Sequence, residues 1–195
     1  CFGEPGLEER ETIENGSLTA CLSGFTDIIL NSNTLPVIDS KADVIYVKSK
    51  NKNKALKIHP LGALTLKSEG SKMAELHEMF DSGAVGFYDY KMSVKNPNLL
   101  KTALQYVQHF DGLIMTFPFE KSICQNGQMN EGEISTLYGL EGIPSLSEEI
   151  TLERDLKILE YTGGKLFIPT ISTSKSVELI KNAKRKGLKI MTSVS

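Results

Sequence analysis

Short apolar runs rich in β-branched and aromatic residues recur along the chain: FTDIIL at 25–30, ALKIH at 55–59, AVGFYD at 84–89, GLIMTF at 112–117, KLFIPTI at 165–171 and LKIMTSV at 188–194. Their apolar character is nearly continuous rather than alternating, which predicts strands buried on both faces of a parallel sheet. Segments of helical period lie between them. ETIENGSLTACLSG (11–24) places Ile13, Leu18 and Leu22 near one predicted face. PNLLKTALQYVQHF (97–110) opens with Pro97 at a first turn, and TSKSVELIKNAKRKG (173–187) runs from a Ser/Thr cap to Gly187. In SGF, SGA, DGL, TGGKL and KGLKI, glycine stands just before the next strand, where it is predicted to release the chain from helix into β structure.

The alternation repeats about every 25 to 35 residues and predicts α/β architecture with right-handed crossovers. A doubly wound sheet that binds nucleotides should carry a glycine-rich phosphate loop after a strand, and neither GxGxxG nor GxxxxGK[ST] occurs. A (β/α)8 TIM-barrel needs about 250 residues. The 195 residues here therefore predict about six of its eight units, a partial barrel domain over 1–195, truncated at both ends. One connection breaks the rhythm. Residues 118–145 are too long for an ordinary βα loop and are predicted to form a surface insertion, with a short helix near 131–138, on the face where barrels place their chemistry.

Composition narrows the partners. Twenty-two basic against 24 acidic residues leave a net charge of −2, which gives no electrostatic reason to expect nucleic acid or a membrane surface. Three cysteines, Cys1, Cys21 and Cys124, have no metal-type spacing and fit reduced thiols in a cytoplasmic protein. The basic stretch KSKNKNKALK at 48–57 reads as a solvated helix end and loop.

A catalytic zinc needs about three His or carboxylate ligands converging on one point. At the predicted C-terminal strand ends only His59 and Asp89 are of the right type. His59 precedes Pro60 and reads more simply as a packed strand-end residue, while His77 and His109 fall within helices. Ser172 and Thr173 follow a strand without a histidine to serve as base, and they read as helix caps. From the residues alone, no catalytic group is assigned.

Seven ordered segments nonetheless resemble the dihydroorotase family of the amidohydrolase superfamily, of the bacterial type related to allantoinases and hydantoinases. EPGLEERETIENGSLTACLSGFTDI is similar to the stretch after that family's first barrel strand. NSNTLPVID is similar to MPNT-x-PV-x-D, and IHPLGALTLKSEG to PxGALTxxxxG. SGAVGFYD, MNEGEISTLYGL and SEEITLERDLKILEYTGGKLFIPTIST continue in register.

The resemblance implies a metal-dependent hydrolase barrel, with a small β-sandwich that members build from termini not present in this stretch. It implies a zinc centre whose bound hydroxide opens a cyclic amide, as in hydrolysis of dihydroorotate to N-carbamoyl-aspartate. The family's opening motif is HxHxREPG, and CFGEPG retains only its tail, with Cys1 at the second histidine and Gly3 at the arginine that grips the substrate carboxylate. Asp89 in FYDYK matches a metal-bridging aspartate and is the one surviving ligand position. Phe117 and Thr170 replace the ligand histidines of the fifth and sixth strands, and Phe167 a preceding histidine. Asn33 matches a substrate-binding asparagine, and the aspartate of the eighth strand falls beyond residue 195.

Phenylalanine cannot bind zinc and threonine replaces imidazole poorly. These substitutions imply a catalytically inactive homologue with no cofactor, acting as scaffold or regulator in pyrimidine biosynthesis beside aspartate transcarbamoylase or as a homo-oligomer. The alternative is an active amidohydrolase with a reduced zinc site built from Asp89, Cys1 and residues outside this stretch. A third reading is a binding module whose mouth accepts another small molecule.

Overall fold

A computed structural model describes residues 2–51, 55–124 and 126–194. Its strands in chain order are β1 (Asp27–Leu30), β2 (Lys57–Pro60), β3 (Phe87–Tyr88), β4 (Ile114–Met115), β5 (Met129–Asn130), β6 (Gly142–Ile143), β7 (Lys165–Ile171) and β8 (Lys189–Val194). The helices are α1 (Ile13–Leu22), α2 (Lys41–Lys50), α3 (Leu76–Asp81), α4 (Pro97–Val107), α5 (Glu133–Leu137), α6 (Leu146–Thr162) and α7 (Ser174–Arg185). Strand β1 pairs with β2, and β3, β4, β7 and β8 form a second ladder, all parallel. A bridge from Gly62 to Phe87 joins the two. The six major strands thus follow one another in chain order without the reversal that marks a doubly wound sheet, which is the topology of a barrel wall.

All six predicted strands are present. Regular pairing in β3 and β4 covers only two residues each, yet ladder-like bonds continue past their ends, from Val85 N–H to Pro60 O (3.0 Å) and from Thr116 N–H to Phe167 O (3.2 Å). The outer face of the wall carries Leu30, Ile58, Phe87, Ile114, Leu166 and Ile190 into one core with the helices. Helix α4 contributes Leu99, Leu100, Ala103, Leu104 and Val107 at helical spacing, starting from the Asn96 cap and Pro97. The inner face holds a smaller cluster of Leu61, Tyr88 and Met115, against which Tyr90, Phe117 and Phe167 pack.

Burial on both faces therefore holds at the centre of the wall and fails at its edges. Ile29 in β1 is 64% exposed and Met191 in β8 49%. An edge strand has a neighbour on one side only, and the inner aromatic cluster does not reach these two.

Helix α1 also departs from expectation. Ile13, Gly16 and Ser17 face the core, whereas Leu18 and Leu22 are exposed. At about 100° per residue, Leu18 lies roughly 140° around the helix from Ile13. Small residues form the packing face because the helix approaches Phe2 closely: a Cβ on Gly16 would fall 2.1 Å from the Phe2 ring.

Glycines in SGF, SGA, TGGKL and KGLKI adopt positive φ where the chain leaves a helix for a strand, while in DGL it is Asp111 that turns left-handed (φ 58°). The 118–145 connection contains the predicted short helix, α5, beside the small β5–β6 ladder. The buried Cys124 thiol is tied there to Gly142 O at 3.2 Å. Among the described residues no helix is long and apolar enough to cross a membrane.

Candidate functional site at the C-terminal mouth

The C-terminal ends of the strands converge on one mouth. After β1 the chain turns through Ser32, Asn33 and Thr34. Ser32 Oγ donates to Tyr88 O (2.6 Å) and Thr34 Oγ1 to Pro36 O (2.6 Å), so two buried hydroxyls hold the turn that presents Asn33 at the surface.

Asp89 follows β3. Phe87 belongs to the outer core, and Tyr88 and Tyr90 belong to the inner cluster. Asp89 lies between the two tyrosines, and its carboxylate is directed at the 64–65 backbone. Oδ1 accepts from Leu64 N–H (2.9 Å) and Thr65 N–H (3.0 Å), and Oδ2 from Thr65 Oγ1 (2.6 Å). Burial pushes its carboxyl upward in pKa, and the bonds from Thr65, Leu64 and Ser68 counter that only in part. A carboxylate so occupied clamps the loop after β2 to the end of β3.

Phe117, two residues past the end of β4, and Phe167 of β7 are both half-buried against the aromatic cluster, with Phe117 also tilted on Phe119 at 6.0 Å between ring centroids. Thr170 is half-buried and lines a cavity of about 450 Å³ with Phe117, Phe119, Asn130 and Ser172. Glu148 of α6 borders this cavity and spans to the start of α7. Its carboxylate accepts from Ser172 Oγ (2.6 Å), Ser172 N–H and Thr173 N–H (3.1 Å). Burial alone would raise its pKa, but the bonds from Ser172, Ser176 and Thr173 outweigh burial and hold it below the ordinary carboxylate range. Thr173 Oγ1 accepts from Ser176 N–H at 3.1 Å and caps α7, as expected.

The histidines do not converge on this mouth. His59 Nε2 pairs with Asp27 Oδ1 at 2.8 Å, with Asp27 at the opening of β1. His77 sits in α3 beside Asp81 and edge-on to Phe110, and His109 lies in the turn after α4.

At the chain's opening, Cys1 lies outside the described residues, but Gly3 and Glu4 are buried. Gly3 N–H donates to Glu11 O and Gly3 O accepts from Leu7 N–H. A Cβ on Gly3 would lie 1.9 Å from Leu7 O, so a side chain here would force this turn to shift. Glu4 accepts from Ile13 N–H (2.9 Å), Tyr46 OH (3.2 Å) and Lys50 Nζ (3.1 Å).

Among the described residues no three His, Cys, Asp or Glu side chains are grouped to hold a metal ion. Asp89 is committed to the 64–65 loop, Phe117 has no donor atom and Thr170 offers a neutral hydroxyl. The described residues do not fit a zinc centre, and no step through one is derived. What the mouth can do is enclose a small molecule between aromatic rings and hydroxyls. Reading along the sequence missed the clamping role of Glu148 and the grouping of Lys91, Lys95 and Lys121 beside a further cavity. The only signal for the lysines is that each follows closely on a predicted strand end.

Comparison with known proteins places this geometry in context. The dihydro-orotase-like family model matches residues 2–176. A dihydroorotase from Pelotomaculum thermopropionicum is 38% identical over 192 residues, covering 98% of this chain and 45% of that protein. One from Acetivibrio thermocellus is 40% identical over 188 residues, covering 96% and 44%. The chain thus spans less than half the length of these relatives. Among solved structures, an L-hydantoinase (dihydropyrimidinase) from Arthrobacter aurescens superposes with a TM-score of 0.72 at 20% identity, covering 93% of this chain and 42% of that one. A D-hydantoinase (dihydropyrimidinase) from Thermus sp. gives 0.66, also at 20% identity, over 93% and 41%. At that identity the structural likeness speaks for the fold alone, and it is the partial barrel described above. With the family model spanning most of its length, the chain belongs to the dihydro-orotase-like family.

Proposed function

We propose that this dihydroorotase-like chain keeps the barrel and its small-molecule mouth without the zinc centre, and serves pyrimidine biosynthesis as a non-catalytic scaffold or regulator. The observation that carries this reading is chemical: Phe117 and Thr170 stand at the inner strand ends where the resemblance requires imidazoles, and the one carboxylate at a ligand position, Asp89, is bound to Leu64 and Thr65. The turn at Gly3 supports it, because glycine carries no guanidinium to grip a carboxylate and a side chain there would force the turn to shift. A partnership with aspartate transcarbamoylase, or with further copies of the chain, belongs to the same proposal.

A second reading has its own support. The relatives at 38% and 40% identity carry the name dihydroorotase, which favours an active cyclic-amide hydrolase whose reduced metal site is built from Asp89, Cys1 and residues outside this stretch. Dihydroorotate hydrolysis by the full-length protein separates the two. The scaffold reading predicts ring opening at the uncatalysed rate with or without added zinc. Turnover that a chelator abolishes and zinc restores would establish the catalytic reading instead.

A further inference from the structure

A second cavity, of about 580 Å³, lies beside the mouth between the loops that follow β3 and β4. Three exposed lysines border it, Lys91 and Lys95 from the first loop and Lys121 from the second. Met92, 50% exposed, and the half-buried Phe119 supply apolar surface. One acid is present. The Glu120 carboxylate accepts from Ser122 N–H (3.1 Å) and Ser122 Oγ (2.6 Å), so its nearest hydrogen-bond donors belong to its own loop.

Lys91 is also set in place by the backbone. It adopts φ 55°, a left-handed conformation uncommon for a residue with a side chain, and its N–H donates to the Tyr88 hydroxyl at 3.1 Å. Its ammonium lies 5.4 Å from the Tyr90 ring centroid, which gives the cation an aromatic neighbour. Three ammoniums against one carboxylate make this a locally cationic cavity in a chain whose net charge is −2.

We propose that the Lys91–Lys95–Lys121 cavity binds a small organic dianion carried on a flat apolar ring. Like charges gathered around one hollow repel each other until an anion bridges them, and a focused positive potential raises the local anion concentration. The Phe119 and Met92 surfaces add what inorganic phosphate cannot use, namely apolar contact with a ring. The site is separate from the positions at which the resemblance places zinc, so the inference stands under either reading of catalysis.

The test is calorimetric titration of the full-length protein with phenyl phosphate, inorganic phosphate and benzyl alcohol. Phenyl phosphate should bind saturably and several-fold more tightly than inorganic phosphate, and benzyl alcohol should not bind measurably. Each exposed ammonium contributes modestly, so single Lys→Gln variants should weaken binding about two- to five-fold. The triple variant Lys91→Gln/Lys95→Gln/Lys121→Gln should weaken it at least about ten-fold while its ligand-free melting temperature stays within a few degrees of the wild type's, since all three side chains are exposed. Lys181→Gln/Lys184→Gln on α7 should leave it unaltered. Raising ionic strength should weaken binding of phenyl phosphate by screening. Absence of saturable binding, equal affinity for phosphate and phenyl phosphate, or full affinity in the triple variant would each overturn the proposal.

Discussion

Asp89 matches the resemblance's aspartate in sequence, and in space it clamps the loop after β2 to the end of β3. Its neighbours Tyr88 and Tyr90 look into the barrel, whereas its carboxylate takes three hydrogen bonds from residues 64 and 65. Asparagine is nearly isosteric but would turn an NH2 group toward at least one of those donors, leaving a buried group unsatisfied. Loss of such a bond costs about 1–3 kcal/mol. In the full-length protein, Asp89→Asn is therefore expected to lower urea-unfolding stability by that amount with no change in metal content. A ligand role would give the opposite pattern, with altered metal content in a normally stable variant. None of this was legible from FYDYK, because the clamp depends on a loop more than twenty residues away in sequence. The poor metal-binding character of Phe117 and Thr170 was legible, since phenylalanine has no donor atom in any conformation and threonine offers only a neutral hydroxyl.

At the scale of elements, Glu4 staples two helices. It accepts from the first N–H of α1, where a negative charge suits the helix N-terminus, and from Tyr46 and Lys50 in the last turns of α2. Burial alone would raise its carboxyl, but the bonds from Ile13, Lys50 and Tyr46 outweigh that and hold the pKa below its ordinary 4.5. A carboxyl depressed in the folded state contributes stability that is complete above its unfolded pKa and is lost as pH falls through the folded value. The wild type should thus lose stability as pH drops below about 4.5. Glu4→Gln should be less stable at neutral pH and show a shallower acid limb in denaturation series measured between neutrality and that range. Equal slopes in the two proteins would remove Glu4 from this role. Element order was readable from the apolar runs and their glycine stops, because buried parallel strands leave a continuous apolar signature. The packing face of α1 was not, since Gly16 and Ser17 meet the core through close approach rather than through apolar bulk.

At the scale of the whole molecule, six parallel strands in chain order build one wall of a barrel, sealed outside by helices and filled inside by aromatic side chains at its centre. Under the proposed reading the fold is kept while the strand-end chemistry changes, which a barrel permits because it is stabilised by its layers and its function resides in a few side chains at one rim. In this family member the rim offers rings, hydroxyls and lysines. Zinc stoichiometry of the full-length protein, purified without chelator and measured by elemental analysis, tests this most directly. The account predicts far less than one zinc per chain even after equilibration with the metal, whereas about one tightly held zinc per chain would contradict it.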